Sequence, residues 1–319
     1  MTGAQATGAR TTGGRTTGGL SLAAAYDRVA AHLVGREREL TLLLAAVAAG
    51  RDIIREGPPG TSKSTLLRAI TAEWGIPLFF VEGNADLTPS KLIGHHNPAR
   101  VLREDYSPDN FVDGPLLQAM RAGGFLYIEE FNRAPEDTLN TLLTAMAERQ
   151  IAVPTAGIVT AAATFRVVAS MNPYDNVGTT RLSTSVHDRI CRLAIGYQDA
   201  AAERGIVALR APLPSVAAEL YQRLVGDAVA VTRATREHPD IRQGSSVRGA
   251  IDLILVAGQL LELRGPAAEE YPELVYDAMV VALSGRIFLD ETVDATPEAV
   301  LRQIWEDQFI LAPAAAAPG

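Results

Sequence analysis

The stretch "REGPPGTSKSTLLRAI", residues 55–70, decides the fold of this chain. It nearly matches the pattern G-x-x-x-x-G-K-[ST], in which a glycine-rich loop joins a strand to a helix. The apolar run "DIIREG" predicts the strand, and the good helix formers of "STLLRAITAEW" predict the helix. Successive backbone N–H groups of such a loop, together with the helix N-terminus, point at phosphate groups. The stretch therefore predicts a phosphate-binding site.

The residues of the loop have distinct expected tasks. Lys63 would reach the β- and γ-phosphates of ATP, and the Ser64 hydroxyl would be a ligand of Mg²⁺. Ser62 stands where the pattern has glycine, and its small side chain fits unless the backbone there requires a glycine-only conformation. An ordinary Pro/Gly turn is the alternative interpretation of "GPPG" alone. The predicted ATP-binding residues of the loop are Gly57, Pro58, Pro59, Gly60, Thr61, Ser62, Lys63, Ser64 and Thr65.

The composition limits the classes of function that the chain could have. The chain has 319 residues, 47% of them hydrophobic, which is enough for one large or two smaller domains with real cores. A net charge of −8 argues against broad electrostatic capture of nucleic acid, although a local basic channel stays possible. The single cysteine, Cys191, allows no intrachain disulfide, which fits a reducing, cytoplasmic location. No apolar run is long enough for membrane insertion.

Strand and helix patterns alternate along the first 200 residues. This alternation predicts an α/β fold with a central parallel sheet covered on both faces. Strands are expected at "IPLFFVEG" (buried), "GGFLYIEE", "FRVVASMNP" and "CRLAIGY", and helices over 21–33, from "GREREL" to Ala49, and over "APEDTLNTLLTAMAER" with Pro135 in its first turn. Long helical patterns follow. The predicted organisation is a Thr/Gly-rich disordered tail (1–19), an α/β domain (20–200), a helical domain (201–310) and a second disordered tail (311–319).

Two further strand ends carry polar groups. "FLYIEEFNR" is an apolar strand that ends in two carboxylates, so Glu129 would hold the Mg²⁺ shell and Glu130 would polarise the attacking water. The usual first acid is aspartate, and a solvated acidic strand end is the alternative. In "VVASMNP", Asn172 could orient that water and sense the γ-phosphate, although an Asn-Pro turn is the better explanation of this motif taken in isolation.

Together these motifs resemble the MoxR-type branch of the AAA+ ATPases. The order of motifs is that of the family: "HLVGRERE" (32–39), "GPPGTSKS" (57–64), "FLYIEEFNRAP" (125–135), "ASMNP" (169–173), "STSVHDRI" (183–190) and "GSSVRGAIDL" (244–253). The resemblance covers roughly residues 30–265. It implies an AAA+ P-loop domain, a C-terminal all-helical lid and a homo-oligomeric ring, usually a hexamer. Two hairpin insertions are expected, one around "LIGHHNPARV" and one around "RQIAVPTAGIVT" with its turn at 155–157.

The resemblance also implies residue roles. Val34 and Gly35 would lie near the adenine, and Asn172 matches sensor 1. Arg248 matches sensor 2, which reaches the γ-phosphate from the lid. Arginine suits this role because its planar, permanently charged group binds phosphate oxygens well.

Arg189 matches the arginine finger that enters the active site of the neighbouring subunit. Arg181 and Arg192 lie close enough in sequence to compete for this role. A surface or salt-bridging role is the alternative for each arginine.

By resemblance, the expected function is a Mg-ATP-hydrolysing, chaperone-like remodeller or activator of a protein client, with a von Willebrand factor A-domain partner. One alternative is a DNA- or RNA-acting AAA+ motor, against which the acidic charge weighs. The other is an ATP-binding structural or assembly module with little turnover.

Overall fold

The computed structural model describes residues 22–31, 33–61, 63–104, 106–153, 157–173, 182–265 and 270–311. Some of the predictions concern residues outside these ranges. The tail 1–19, the tail 311–319 beyond its first residue, the tip of the second hairpin, Ser62 and Arg181 all lie outside the described residues.

The described chain begins with helices and then alternates strands with helices. The helices are Leu22–Ala30 (α1), Glu37–Ala48 (α2), Lys63–Trp74 (α3), Pro89–Ile93 (α4), Pro98–Glu104 (α5), Pro115–Ala122 (α6), Glu136–Glu148 (α7), Thr184–Arg189 (α8), Ala200–Arg210 (α9), Ala218–Glu237 (α10), Val247–Arg264 (α11), Tyr271–Leu283 (α12) and Pro297–Glu306 (α13). The strands are Ile53–Glu56 (β1), Leu78–Glu82 (β2), Gly94–His96 (β3), Phe111–Asp113 (β4), Phe125–Glu129 (β5), Gln150–Val153 (β6), Gly157–Thr160 (β7), Arg166–Met171 (β8), Cys191–Ala194 (β9), Ile241–Gln243 (β10) and Phe288–Leu289 (β11).

Five strands form one parallel sheet in the order β2-β5-β8-β1-β9. The predicted α/β fold is confirmed. Because all five strands run the same way, their carboxyl ends meet at one edge, where parallel α/β sheets bind ligands. That edge brings together the phosphate loop after β1, the two acids at the end of β5 and the "MNP" turn after β8.

The sheet is buried on both faces, as expected for parallel strands. Ile53 belongs to a core cluster shared with α1, α2 and α3, whereas Ile54 belongs to a second cluster shared with α6 and α7. One strand departs from the prediction. Strand β2 lies at the edge of the sheet, so the ring of Phe80 remains 45% exposed and the strand is only partly buried.

The residues after 200 build a separate apolar core that is mainly helical, called the lid here (residues 200–311). This lid is not all-helical, because β10 and β11 form a short antiparallel ribbon. Strands of three and two residues are too short to show a period-two pattern in the sequence. The domain bounds 20–200 and 201–310 stay predictions.

The paired strands of both predicted hairpins are present in the described residues. Strands β3 and β4 pair antiparallel around α5, and β6 pairs antiparallel with β7. Helix α7 begins at Glu136, two residues after the start of the predicted segment "APEDTLNTLLTAMAER". Pro135 is its N-cap residue, with an extended ψ of 152°, and does not lie in the first turn.

Candidate nucleotide-binding site

The phosphate loop leaves β1 at Glu56 and enters α3 at Lys63. Two positions of the loop require glycine, because neighbouring atoms lie where a side chain would begin. A Cβ atom on Gly57 would lie 2.0 Å from the carbonyl oxygen of Ile195, and Gly60 has a φ of +73° with Ser246 of the lid against it. The Gly57 N–H donates to the carbonyl of Met171 at 3.2 Å, which ties the loop to the end of β8.

The Lys63 ammonium is held above the loop. Its Nζ donates to the carbonyl oxygens of Gly57 and Pro58, at 2.7 and 2.9 Å. Burial lowers the pKa of Lys63 from its usual 10.5 to about 8, and the nearby carboxylates of Glu130 and Glu129 oppose this shift. A partly desolvated cation at the N-terminus of a helix is suited to binding an anion, since a phosphate would give it a charge partner.

Ser64 and Glu129, the candidate metal ligands, contact each other. The Ser64 hydroxyl donates to Oε1 of Glu129, which also accepts a hydrogen bond from the Tyr127 hydroxyl at 2.6 Å. Burial raises the pKa of Glu129, but the hydrogen bonds from Ser64 and Tyr127 outweigh this and hold the pKa below its usual value. A hydroxyl and a carboxylate beside a phosphate site fit Mg²⁺, which binds few protein oxygens and completes its shell with phosphate and water.

Glu130, the candidate base, lies in an unusual backbone conformation. Its φ is 50° and its ψ is 43°, in the left-handed region. A Cβ atom on Gly83 would lie 2.3 Å from the Glu130 carbonyl oxygen, so Gly83 makes room for this turn. The Glu130 carboxylate is partly exposed and lies 3.5 Å from Nε of Arg133.

Asn172 follows β8, the strand between β1 and β5. The side-chain amide of Asn132 donates to the Asn172 carbonyl at 3.4 Å. Asn172 therefore follows the strand that lies between the strands of the phosphate loop and of the two acids, and its role as sensor 1 stays a prediction.

A cavity of about 240 Å³ lies between the α/β region and the lid. Arg248 lies at its lid side, and the Arg248 Cδ would be 3.7 Å from a Cβ atom on Gly60. Val34 lines the cavity, whereas Gly35 packs against Ala202 of α9. The lining residues are Leu33, Val34, Arg36, Gly60, Thr65, Ile206, Leu209, Arg210, Val247, Arg248 and Ile251.

The three candidate fingers differ in their surroundings. Arg189 is exposed at the end of α8 and donates to the Ser185 carbonyl at 3.1 Å. Arg192 forms an ion pair with the buried Glu56 of the same chain, which ties it to β1. Arg181 lies outside the described residues. The finger role of Arg189 stays a prediction, since it concerns a neighbouring subunit.

Sequence reasoning missed the polar groups beneath the site. Arg55 and Tyr127 are fully buried between the sheet and α3, and both contact residues of the phosphate loop or metal pair. The sequence does contain an indication of these buried polar groups. Arg55 interrupts the apolar run "DIIREG", and Tyr127 lies two residues before Glu129, on the same face of its strand.

Two kinds of feature are absent from the described residues. Within these ranges no helix has both the length and the apolarity to cross a membrane. The same ranges contain no group of three or more His, Cys, Asp or Glu side chains placed to hold a metal ion.

Comparison with known proteins finds similarity over part of the chain. Residues 52–190 match the family described as AAA domain (dynein-related subfamily). The chain is 27% identical over 267 residues to the gas vesicle ATPase GvpN of Ancylobacter aquaticus, covering 77% of this chain and 71% of that protein. It is 28% identical over 259 residues to the uncharacterized protein YeaC of Bacillus subtilis (strain 168), covering 74% and 77%.

Among solved structures, a point mutant of RuvB from Thermotoga maritima aligns with a TM-score of 0.51 at 19% identity, covering 78% of this chain and 71% of that chain. At this identity the likeness concerns the fold alone, which is the AAA+ α/β fold.

Proposed function

Because residues 52–190 match an AAA domain family, we propose that this protein is a Mg-ATP-hydrolysing ATPase of the MoxR type. It acts as a chaperone-like remodeller or activator of a protein client. One observation carries the proposal: Ser64 bonds to Glu129 of β5, and Lys63 beside it interacts electrostatically with Glu129 and with Arg248 of the lid. The relative named gas vesicle ATPase supports hydrolysis over mere binding.

The chemistry divides among these residues. Lys63 and the backbone N–H groups of the loop would bind the phosphates, and Ser64 and Glu129 would hold Mg²⁺. Bound Mg²⁺ neutralises phosphate charge that develops during transfer. Glu130 accepts a proton from the attacking water, which Asn172 orients.

Two residues complete the site from elsewhere. Arg248 reaches the γ-phosphate from the lid, and Arg189 enters the site of the next subunit in a homo-oligomeric ring. Val34 lines the cleft from the α/β region and, with Gly35 next to it, flanks the adenine. This division of labour makes hydrolysis depend on both the lid position and ring assembly.

A protein client fits the surface of the two hairpins. Leu102 of the first insertion is 89% exposed and Ile158 of the second is 68% exposed. Exposed large apolar side chains on projecting segments are typical of protein contacts. The von Willebrand factor A-domain partner rests on the resemblance to MoxR-type proteins, as does a hexameric ring.

A specific observation favours a second candidate, an ATP-binding module with little turnover. The candidate base Glu130 lies 3.5 Å from Nε of Arg133, and a carboxylate paired in this way must leave its partner before it can bind an attacking water. The two candidates differ in turnover and not in binding.

The test measures ATP hydrolysis by the full chain with Mg²⁺ and by Lys63→Ala. A Lys63-dependent rate supports the ATPase, whereas Mg-ATP binding without Lys63-dependent turnover supports the module.

Glu130→Gln loaded with ATP then serves as bait in native lysate, with Lys63→Ala as the matched negative bait. A client, or an A-domain protein, retained by Glu130→Gln alone supports remodelling, and equal recovery on both baits contradicts it.

A further inference from the structure

Tyr127 lies beneath the candidate metal pair with no exposed surface. Its hydroxyl lies 2.6 Å from Oε1 of Glu129, 2.9 Å from Oγ of Ser64 and 3.1 Å from Oγ of Ser170. One phenol oxygen thus touches both candidate metal ligands. A hydroxyl that only needed burial would require one partner, whereas this one lies among three oxygens of the site.

The ring of Tyr127 is held by Arg55, which is also fully buried. The Arg55 guanidinium carbon lies 5.0 Å from the centre of the ring, within range of a cation–π contact. The same guanidinium donates through Nη1 to the carbonyl of Lys63 in the first turn of α3. Tyr127 is therefore braced against the element that carries Lys63 and Ser64.

This arrangement bears on the glutamate at position 129. Glutamate has one more rotatable bond than the aspartate expected at this position, so its carboxylate is less well placed by its backbone alone. The hydrogen bond from Tyr127 to Oε1 orients that carboxylate, and Oε2 keeps its capacity to face the metal shell. Groups that hydrogen-bond to metal ligands commonly orient them in this way.

We propose that Tyr127 is a positioning residue that orients Ser64 and Glu129 for Mg²⁺, and that it compensates for glutamate in place of aspartate. The inference rests on the proposed Mg-ATP site. It assigns Tyr127 no direct contact with nucleotide or metal.

The test uses Tyr127→Phe in the full chain, which keeps the ring over which Arg55 lies. Binding of a fluorescent ADP analogue is measured while Mg²⁺ is titrated, and again in EDTA. The Mg²⁺ concentration for half-maximal enhancement should rise about 10- to 100-fold, the usual loss when a group supporting a metal ligand is removed. Affinity for the metal-free analogue should stay unchanged.

Tyr271→Phe is the matched control. Tyr271 is a buried tyrosine of the lid whose hydroxyl donates to Asp227 at 2.6 Å, the same kind of bond away from the site. Its removal should leave the Mg²⁺ dependence at the wild-type value.

Glu129→Asp tests the compensation, because the shorter side chain withdraws the carboxylate from Tyr127. Adding Tyr127→Phe to Glu129→Asp should change the Mg²⁺ dependence by less than about twofold, since that bond is already lost. An equal loss in both backgrounds would overturn the compensation, and a wild-type Mg²⁺ dependence in Tyr127→Phe would overturn the positioning role.

If Tyr127→Phe loses metal-free binding, Ser170→Ala replaces it. Removing this hydroxyl frees the Tyr127 hydroxyl on one side, so the Mg²⁺ requirement should rise as expected for Tyr127→Phe, and no rise would overturn the positioning role.

A wild-type chain that shows no metal-dependent binding at all contradicts the proposed function, and this inference with it. Metal-dependent wild-type binding with an unchanged Tyr127→Phe defeats this inference alone.

Discussion

The α/β region and the lid contribute to the cleft in different ways. In the α/β region, Arg55 and Tyr127 are buried, the Arg55 guanidinium lies over the Tyr127 ring, and the Tyr127 hydroxyl donates to the partly buried Glu129. The lid has an apolar core of its own, and its polar contribution, Arg248, is exposed. One side of the cleft is therefore ordered before any ligand arrives, whereas the other presents a long side chain that a ligand could still reposition.

Several contacts between the two regions are close. Gly35 meets Ala202 and Gly60 meets Ser246, at approaches that leave no room for a Cβ atom on either glycine. Gln198, two residues before the lid, donates to the Val34 carbonyl. These contacts surround the cleft, so a bound nucleotide would join the two regions. We infer that binding depends mainly on the α/β region and that hydrolysis depends on both.

The largest effect is expected from Lys63→Ala, which removes a phosphate-binding group of the α/β region. Hydrolysis should fall to background, and nucleotide affinity should fall about 10- to 100-fold, since charged hydrogen bonds to phosphate are lost. Steady-state hydrolysis and equilibrium binding measure the two effects. Lys91→Ala, at the exposed lysine of α4, is the control and should behave as wild type. Normal turnover in Lys63→Ala would contradict the site.

Arg189→Ala is next, because it tests whether the α/β region also acts outside its own subunit. An arginine supplied by a neighbour contributes about 10³- to 10⁵-fold in related phosphoryl transfers. Arg189→Ala alone should therefore be nearly inactive while its ATP affinity stays normal. Arg192→Ala is the matched comparison, because that arginine is paired with Glu56 in its own chain.

Mixing identifies the trans role of Arg189. Lys63→Ala has an intact finger and Arg189→Ala has an intact loop, so mixed rings should regain some activity. Recovery should follow the mixing ratio and vanish on dilution below ring assembly. Mixtures that stay inactive under proven subunit exchange would exclude Arg189 and direct the same test to Arg181 and Arg192.

Glu130→Gln should lower hydrolysis about 10²- to 10⁴-fold, the usual contribution of a general base. Mg-ATP binding should survive, because the amide keeps the shape of the carboxylate. Single-turnover hydrolysis and binding are measured side by side. Glu129→Gln is the paired variant and should instead weaken the Mg²⁺ dependence of binding. The opposite pattern would exchange the two roles.

Much of the fold could be predicted because its signals are local. The run "DIIREG", the loop and the helix after it are neighbours in sequence, and each strand of the sheet carries an apolar pattern of its own. The paired acids at 129 and 130 were predicted for the same reason, since one strand ends in both. The edge position of β2 was missed, because strand order is a property of the whole sheet.

The polar support of the site could not be predicted from spacing alone. Arg55 and Ser170 are aligned by the register of β1 with β8, and Tyr127 joins them through the pairing of β5 with β8. Tyr127 and Ser170 are 43 positions apart in the chain, so nothing local in the sequence indicates their contact. The ribbon of β10 and β11 was missed likewise, because each strand is too short to show a pattern and its partner is distant.

Arg248→Ala tests whether the lid contributes to hydrolysis and not to nucleotide binding. Nucleotide affinity should stay within a few-fold of wild type, whereas hydrolysis should fall about 100-fold, the cost of removing one donor to developing charge. Affinity for ADP and the rate of hydrolysis are compared in the same preparation. The control is Arg242→Ala, an exposed lid arginine that pairs with Glu291 away from the cleft. A large loss of ADP affinity in Arg248→Ala would show that the lid also carries binding.

The smallest effect is expected from Ser62→Gly, which restores the glycine of the sequence pattern. Gly57 and Gly60 already occupy the positions where the structure shows close approaches, and a serine side chain is small. Adding a glycine costs about 0.5–1 kcal/mol of backbone freedom, which limits any benefit. Hydrolysis should therefore stay within a few-fold of wild type, measured as steady-state rate at saturating Mg-ATP. A large gain would mean that Ser62 restrains the loop and that the natural chain is a slow ATPase, which would favour the binding module over the remodelling ATPase.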